Sequence, residues 1–145
     1  MITRHRTGRF VPDRQRPLVP HDVAEARARV AEALRGAATS TGGPPSTTAV
    51  GDALLVTSEL VTNALRHGGG LTGFDVDLDP GAVTITVADA SGELPRLTGG
   101  RGTERASGPP EGGFGWPLVR LLAQEIRLTL PPGGGKTIEV RLPLR

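Results

Sequence analysis

Apolar residues recur at steps of three and four along two long stretches of the chain and alternate with polar residues along four shorter ones. The first stretch begins near His21-Asp22 with Asp22 as N-cap. It places Val23, Ala26, Val30, Ala33 and Leu34 on one stripe, with Arg27, Arg29, Glu32 and Arg35 on the other faces. Gly36 and the run from Ala37 to Thr48 interrupt the period and read as a loop. A second helix is predicted from about Thr48 to His67, with Leu54, Leu55, Leu60, Val61, Ala64 and Leu65 on its apolar side, stopped by Gly68-Gly69-Gly70. Then the period changes to two. Phe74, Val76 and Leu78 alternate with Asp75, Asp77 and Asp79; after Pro80-Gly81, Val83, Ile85 and Val87 alternate with Thr84 and Thr86, which predicts a hairpin. A short helix is expected from Pro117 to about Gln124, and a closing hairpin from 126–130 and 137–142. Helices and strands on separate stretches predict an α+β fold, with helices on one face of a sheet.

Composition narrows this picture. The 145 residues make one domain, 37% of them hydrophobic, with a net charge of only +2, which favours a folded chain over a disordered one. The core must be aliphatic, because the only aromatics are Phe10, Phe74, Phe114 and Trp116. The chain contains no cysteine, which removes disulfides, thiolate metal sites and a cysteine nucleophile. Neither a secretory leader nor an apolar run long enough to span a membrane is visible, so a cytoplasmic location is expected.

The basic residues are 17 in number, and Lys136 alone among them is lysine. The high pI, near 10.3, therefore reflects arginine's pKa rather than a clustered cationic surface. Residues 1–17 carry Arg4, Arg6, Arg9, Arg14 and Arg16 against Asp13 alone, without a hydrophobic period, and read as a flexible arm ahead of a domain at 18–145. No aromatics interleave with these arginines, so direct nucleic-acid binding is not expected.

Three features carry chemistry. Glu59, Asn63 and His67 are spaced by four and form a polar stripe on an otherwise apolar helix. Asp89 ends the strand Val83 to Ala88, where a buried carboxylate can accept a hydrogen bond from an exocyclic amine; an ordinary turn aspartate is the plainer reading. Gly112-Gly113-Phe114-Gly115-Trp116-Pro117-Leu118-Val119 is a glycine-rich loop opening into a helix, suited to phosphate through backbone N–H groups and the helix N-terminus. No GK[ST] follows it, so it is not a Walker loop.

Taken in this order, the features resemble the ATP-binding domain shared by histidine kinases, DNA gyrase, the heat-shock chaperones and the mismatch-repair ATPases. They are most similar to its small bacterial branch, the anti-sigma-factor serine kinases. The resemblance spans roughly residues 18 to 144. It rests on Ala26-Arg27-Ala28-Arg29-Val30, on Ser58-Glu59-Leu60-Val61-Thr62-Asn63-Ala64, on Asp89, on the glycine loop and on Gly135-Lys136-Thr137. It implies a Bergerat-type two-layer sandwich with a mixed, mostly antiparallel sheet.

The resemblance also implies roles. Asn63 would hold Mg²⁺, Glu59 would be the general base, and Asp89 would bind the adenine amine. Gly92, Gly113, Gly115 and Leu118 would line the nucleotide, with Thr137 near the adenine. A lid at about 90–113, carrying Arg96, Arg101 and Arg105, would close over the phosphates of ATP. Ser91 and Glu93 stand where the family's first glycine box has glycines, and Trp116 is bulky enough to pack over the lid or against the base. The implied activity is transfer of the γ-phosphate of Mg·ATP to a serine of a STAS-type anti-anti-sigma protein, by a protein that also sequesters a sigma factor. Members commonly work as homodimers. The alternative is a non-catalytic interaction module in the same partner switch, which the substitutions Ser91 and Glu93 favour.

Overall fold

The computed structural model describes residues 18–37, 43–93 and 115–145. The arginine-rich arm at 1–17, most of the expected lid and Gly113 lie outside the described residues. The element order is α1 (Val23–Gly36), α2 (Thr47–His67), β1 (Leu71–Asp79), β2 (Ala82–Asp89), α3 (Gly115–Leu122), β3 (Glu125–Thr129) and β4 (Lys136–Pro143). The strands form one sheet in the order β1-β2-β4-β3, and all three pairings are antiparallel. The architecture is the expected α+β sandwich.

The two long helices start where side chains satisfy some of their first free N–H groups. Asp22 caps α1 by accepting from the Glu25 amide, while Glu25 reaches back to the His21 amide at 2.8 Å, a variant of the reciprocal capping box. Ser46 caps α2 by accepting from the Ala49 amide at 3.0 Å. α3 begins at Gly115, two residues ahead of the proline expected to open it.

The core lies between the helices and one sheet face. It joins Ala26, Val30 and Leu34 of α1 and Val56, Leu60 and Val61 of α2 to Val83, Ile85, Val87, Ile138, Val140 and Leu142 of the sheet. Trp116 is buried in this same cluster beside Val119, so its bulk serves the core. Arg27 links the two long helices, donating from Nη1 to the Leu54 carbonyl at 3.2 Å and to Ser58 Oγ at 2.7 Å.

The opposite sheet face is polar. Asp75, Asp77, Asp79, Thr84, Thr86, Glu125, Arg127, Glu139 and Arg141 line a shallow concavity of about 250 Å³. Arg141 holds Asp79 through two hydrogen bonds of 2.8 and 3.3 Å, and Arg127 lies 3.0 Å from Glu125. These pairs are partly solvated, so each contributes on the order of 0–1 kcal/mol.

Candidate functional site

The long axis of the site is α2. Glu59 and Asn63 sit four residues apart on one side of the helix, both half-buried, and among the described residues neither side chain has a hydrogen-bond partner. Gly115, the first residue of α3, lies directly against Glu59: a Cβ at that position would stand 2.6 Å from Glu59 Oε1. The glycine is what lets the helix N-terminus approach the carboxylate. Burial raises the Glu59 pKa above its ordinary value of 4.5.

The other end of the site forms where α2 stops. Gly68, its C-cap, packs on Asp89, and a Cβ there would meet Asp89 Cγ and Oδ2 at 2.5 Å. Nine residues separate Glu59 from Gly68, so the two ends stand roughly 13 Å apart along the helix.

Asp89 is the last residue of β2 and occupies the same sheet face as Val83, Ile85 and Val87, turned toward the helices. Its cross-strand partner in β4 is Lys136. Lys136 Nζ lies 2.8 Å from Asp89 Oδ2 and 3.0 Å from Oδ1, with side-chain exposures of only 8% and 5% for the two residues. A longer contact of 3.4 Å runs from the same nitrogen to the Ser91 carbonyl. Gly135 closes the site from behind. Its φ of +82° is unfavourable for other residues, and a Cβ there would fall 2.4 Å from the Asp89 carbonyl oxygen.

The turn after β2 is held by its own side chains. The Ser91 amide donates to Asp89 Oδ1 at 3.0 Å, and the Glu93 amide donates to Ser91 Oγ at 2.9 Å. Neither Ser91 nor Glu93 has a positive φ, so the turn does not require glycine at those positions, and Glu93 is exposed.

The sequence-derived residues thus fall into two groups around α2. Glu59 and Gly115 mark one end of the site, with Leu118 half-buried on the following turn of α3 and Asn63 one helical turn further along α2. Asp89 sits at the other, with Gly92 exposed in the adjoining turn. Thr137 pairs in register with Ala88 and alternates with Lys136, on the side of β4 that carries Glu139 and Arg141. The residue of the Gly135-Lys136-Thr137 segment that meets Asp89 is Lys136, which sequence reasoning passed over. Its one signal was being the sole lysine.

A family model described as a histidine kinase-like ATPase domain matches residues 17–142. The chain belongs to that family. Among curated proteins no significant match is found. Membership makes ATP the ligand class to set against the two ends of the histidine kinase-like ATPase site. The residues present suit a Mg²⁺–nucleotide complex: Mg²⁺ is held by one or two protein oxygens together with phosphates and waters, and the partnerless Asn63 amide offers such an oxygen. Among the described residues no cluster of three or more His, Asp or Glu side chains exists that would hold a metal by itself. No helix among them is long and apolar enough to cross a membrane.

Proposed function

We propose that this histidine kinase-like ATPase domain is a regulatory protein kinase that transfers the γ-phosphate of ATP to a serine hydroxyl of a partner protein. The observation that carries the reading is the pair of separate stations along α2, at Glu59 in its middle and at its C-cap Gly68. Asp89 supplies a buried acceptor for the base, and Glu59, one helical turn from Asn63, meets the N-terminus of α3 where phosphates would lie. In this reading Asn63 holds Mg²⁺, which neutralises phosphate charge when bound. The first-turn amides of α3 orient the phosphates. Glu59 accepts the proton of the incoming hydroxyl, a task suited by a carboxyl whose pKa is raised by burial.

The reading extends to a partner switch. The substrate would be a STAS-type anti-anti-sigma protein, and the competing partner a sigma factor held inactive. Support for this step is the similarity of the Ser58-to-Ala64 box and the glycine loop to the anti-sigma kinases.

The test is calorimetry of Mg²⁺-dependent ATP binding followed by phosphotransfer to a STAS-domain protein. The expected result is binding that Asp89→Asn abolishes, a Mg²⁺ requirement that Asn63→Ala removes, and transfer that Glu59→Gln stops. Binding without transfer to any serine-bearing partner would make the chain an interaction module instead. No binding up to millimolar ATP would remove the nucleotide reading.

A further inference from the structure

Asp89 does not face the base pocket alone. Its carboxylate is already engaged by Lys136 through Oδ1 and Oδ2, and Oδ1 also accepts from the Ser91 amide. What remains for a ligand is a lone pair on Oδ2, directly beside the ammonium. The ammonium has three N–H donors, and the contact it makes outside the carboxylate, to the Ser91 carbonyl, is long at 3.4 Å. A group brought to Asp89 therefore also meets a donor looking for a better acceptor. Both charges are almost wholly buried, so an unmatched polar position here carries a large penalty.

We propose that Lys136 is a specificity-determining residue of the base pocket. Asp89 and Lys136 together read two neighbouring positions: Asp89 accepts from the exocyclic amine, and Lys136 donates to the ring nitrogen next to it. Adenine offers that pairing on either edge, because its amine is flanked by an acceptor nitrogen on both sides. The base takes the place of the Ser91 carbonyl at the third N–H of Lys136, and the ion pair stays intact. This inference rests on the ATP reading and adds a selection rule to it: the amine alone is insufficient.

The experiment compares ATP, 1-deaza-ATP and 7-deaza-ATP, each deaza analogue replacing one flanking nitrogen with C–H while keeping the amine. On the wild-type protein one of the two analogues is expected to bind at least about tenfold more weakly than ATP. In Lys136→Met that analogue and ATP are expected to bind alike, and Lys136→Arg, which keeps a cationic donor, is expected to restore part of the discrimination. Since Lys136→Met leaves Asp89 as an uncompensated buried charge, circular dichroism verifies its folding, and Lys136→Arg, which keeps the charge against Asp89, decides the test should Lys136→Met not fold. If wild type binds ATP and both analogues equally, or if discrimination persists without Lys136, the inference falls while the ATP reading stands. If the folded wild type binds none of the three, both fall together.

Discussion

Glu59 couples a chemical role to a pH signature. Its folded-state pKa is raised by burial, so the folded protein holds a proton at Glu59 that the unfolded chain has released. Stability is therefore lost as pH rises from about the ordinary value of 4.5 through the raised value, and Glu59→Gln escapes that loss. Thermal unfolding of the two proteins between pH 3.5 and 8 is expected to show the variant gaining on wild type as pH rises, the difference levelling off above the window. In the phosphotransfer assay the same variant should lose about 10²–10⁴-fold in rate while binding ATP within a few-fold of wild type. Gly135 offers a second test on single residues. Gly135→Ala puts a methyl 2.4 Å from the Asp89 carbonyl oxygen at a φ of +82°, so a stability loss of about 1–3 kcal/mol by urea denaturation and weakened ATP binding are expected together.

Among the elements, α2 carries most of the positioning. Its buried side contacts α1, α3 and the sheet, its middle meets Gly115 through Glu59, and its C-terminal end meets Asp89 through Gly68. The seam with α1 is partly polar, since Arg27 spans it to reach both the Leu54 carbonyl and Ser58 Oγ. Arg27→Ala is expected to cost about 1–2 kcal/mol, because the Leu54 carbonyl remains bonded to the α2 ladder and to Ser58 Oγ at 3.0 Å while a charge-assisted bond is lost. Urea midpoints of wild type and variant would measure it. A change within 0.3 kcal/mol would mean that the seam is held by its apolar contacts alone. The Asp89–Lys136 pair belongs to this scale too, since it exists only where β2 and β4 run antiparallel in this register.

For the molecule as a whole, Leu144 ties three distant parts together. Its side chain is fully buried, its amide donates to the Gly81 carbonyl in the β1–β2 turn, and its carbonyl accepts from the Ser46 amide at the start of α2. Leu144→Ala is expected to lower stability by about 2–5 kcal/mol, as for other large-to-small changes in a close-packed core. The loss should show as a lower urea midpoint with an unchanged slope. A value under 1 kcal/mol would show that this end of the chain packs loosely.

What the sequence determined by itself was local. The period of three and four, the cap Asp22, the glycines after His67 and the alternation along β1, β2 and β4 are short-range consequences of backbone geometry and side-chain chemistry, and they placed nearly every element. Glu59, Asn63 and Gly115 were legible because each belongs to a contiguous pattern on a helix or at a helix start. Tertiary structure alone decided who meets whom across the chain. Residues 89 and 136 become neighbours only after four strands order themselves β1-β2-β4-β3, so the partner of Asp89 could not be read from spacing. The same pairing put Lys136 toward the helices and Thr137 on the alternate side, because a strand has a period of two and a one-residue difference reverses the face. Trp116 likewise took its place in the core once α3 had docked on α2. Local propensity selects the elements; the register of the sheet and the packing of α2 between its neighbours assemble the site.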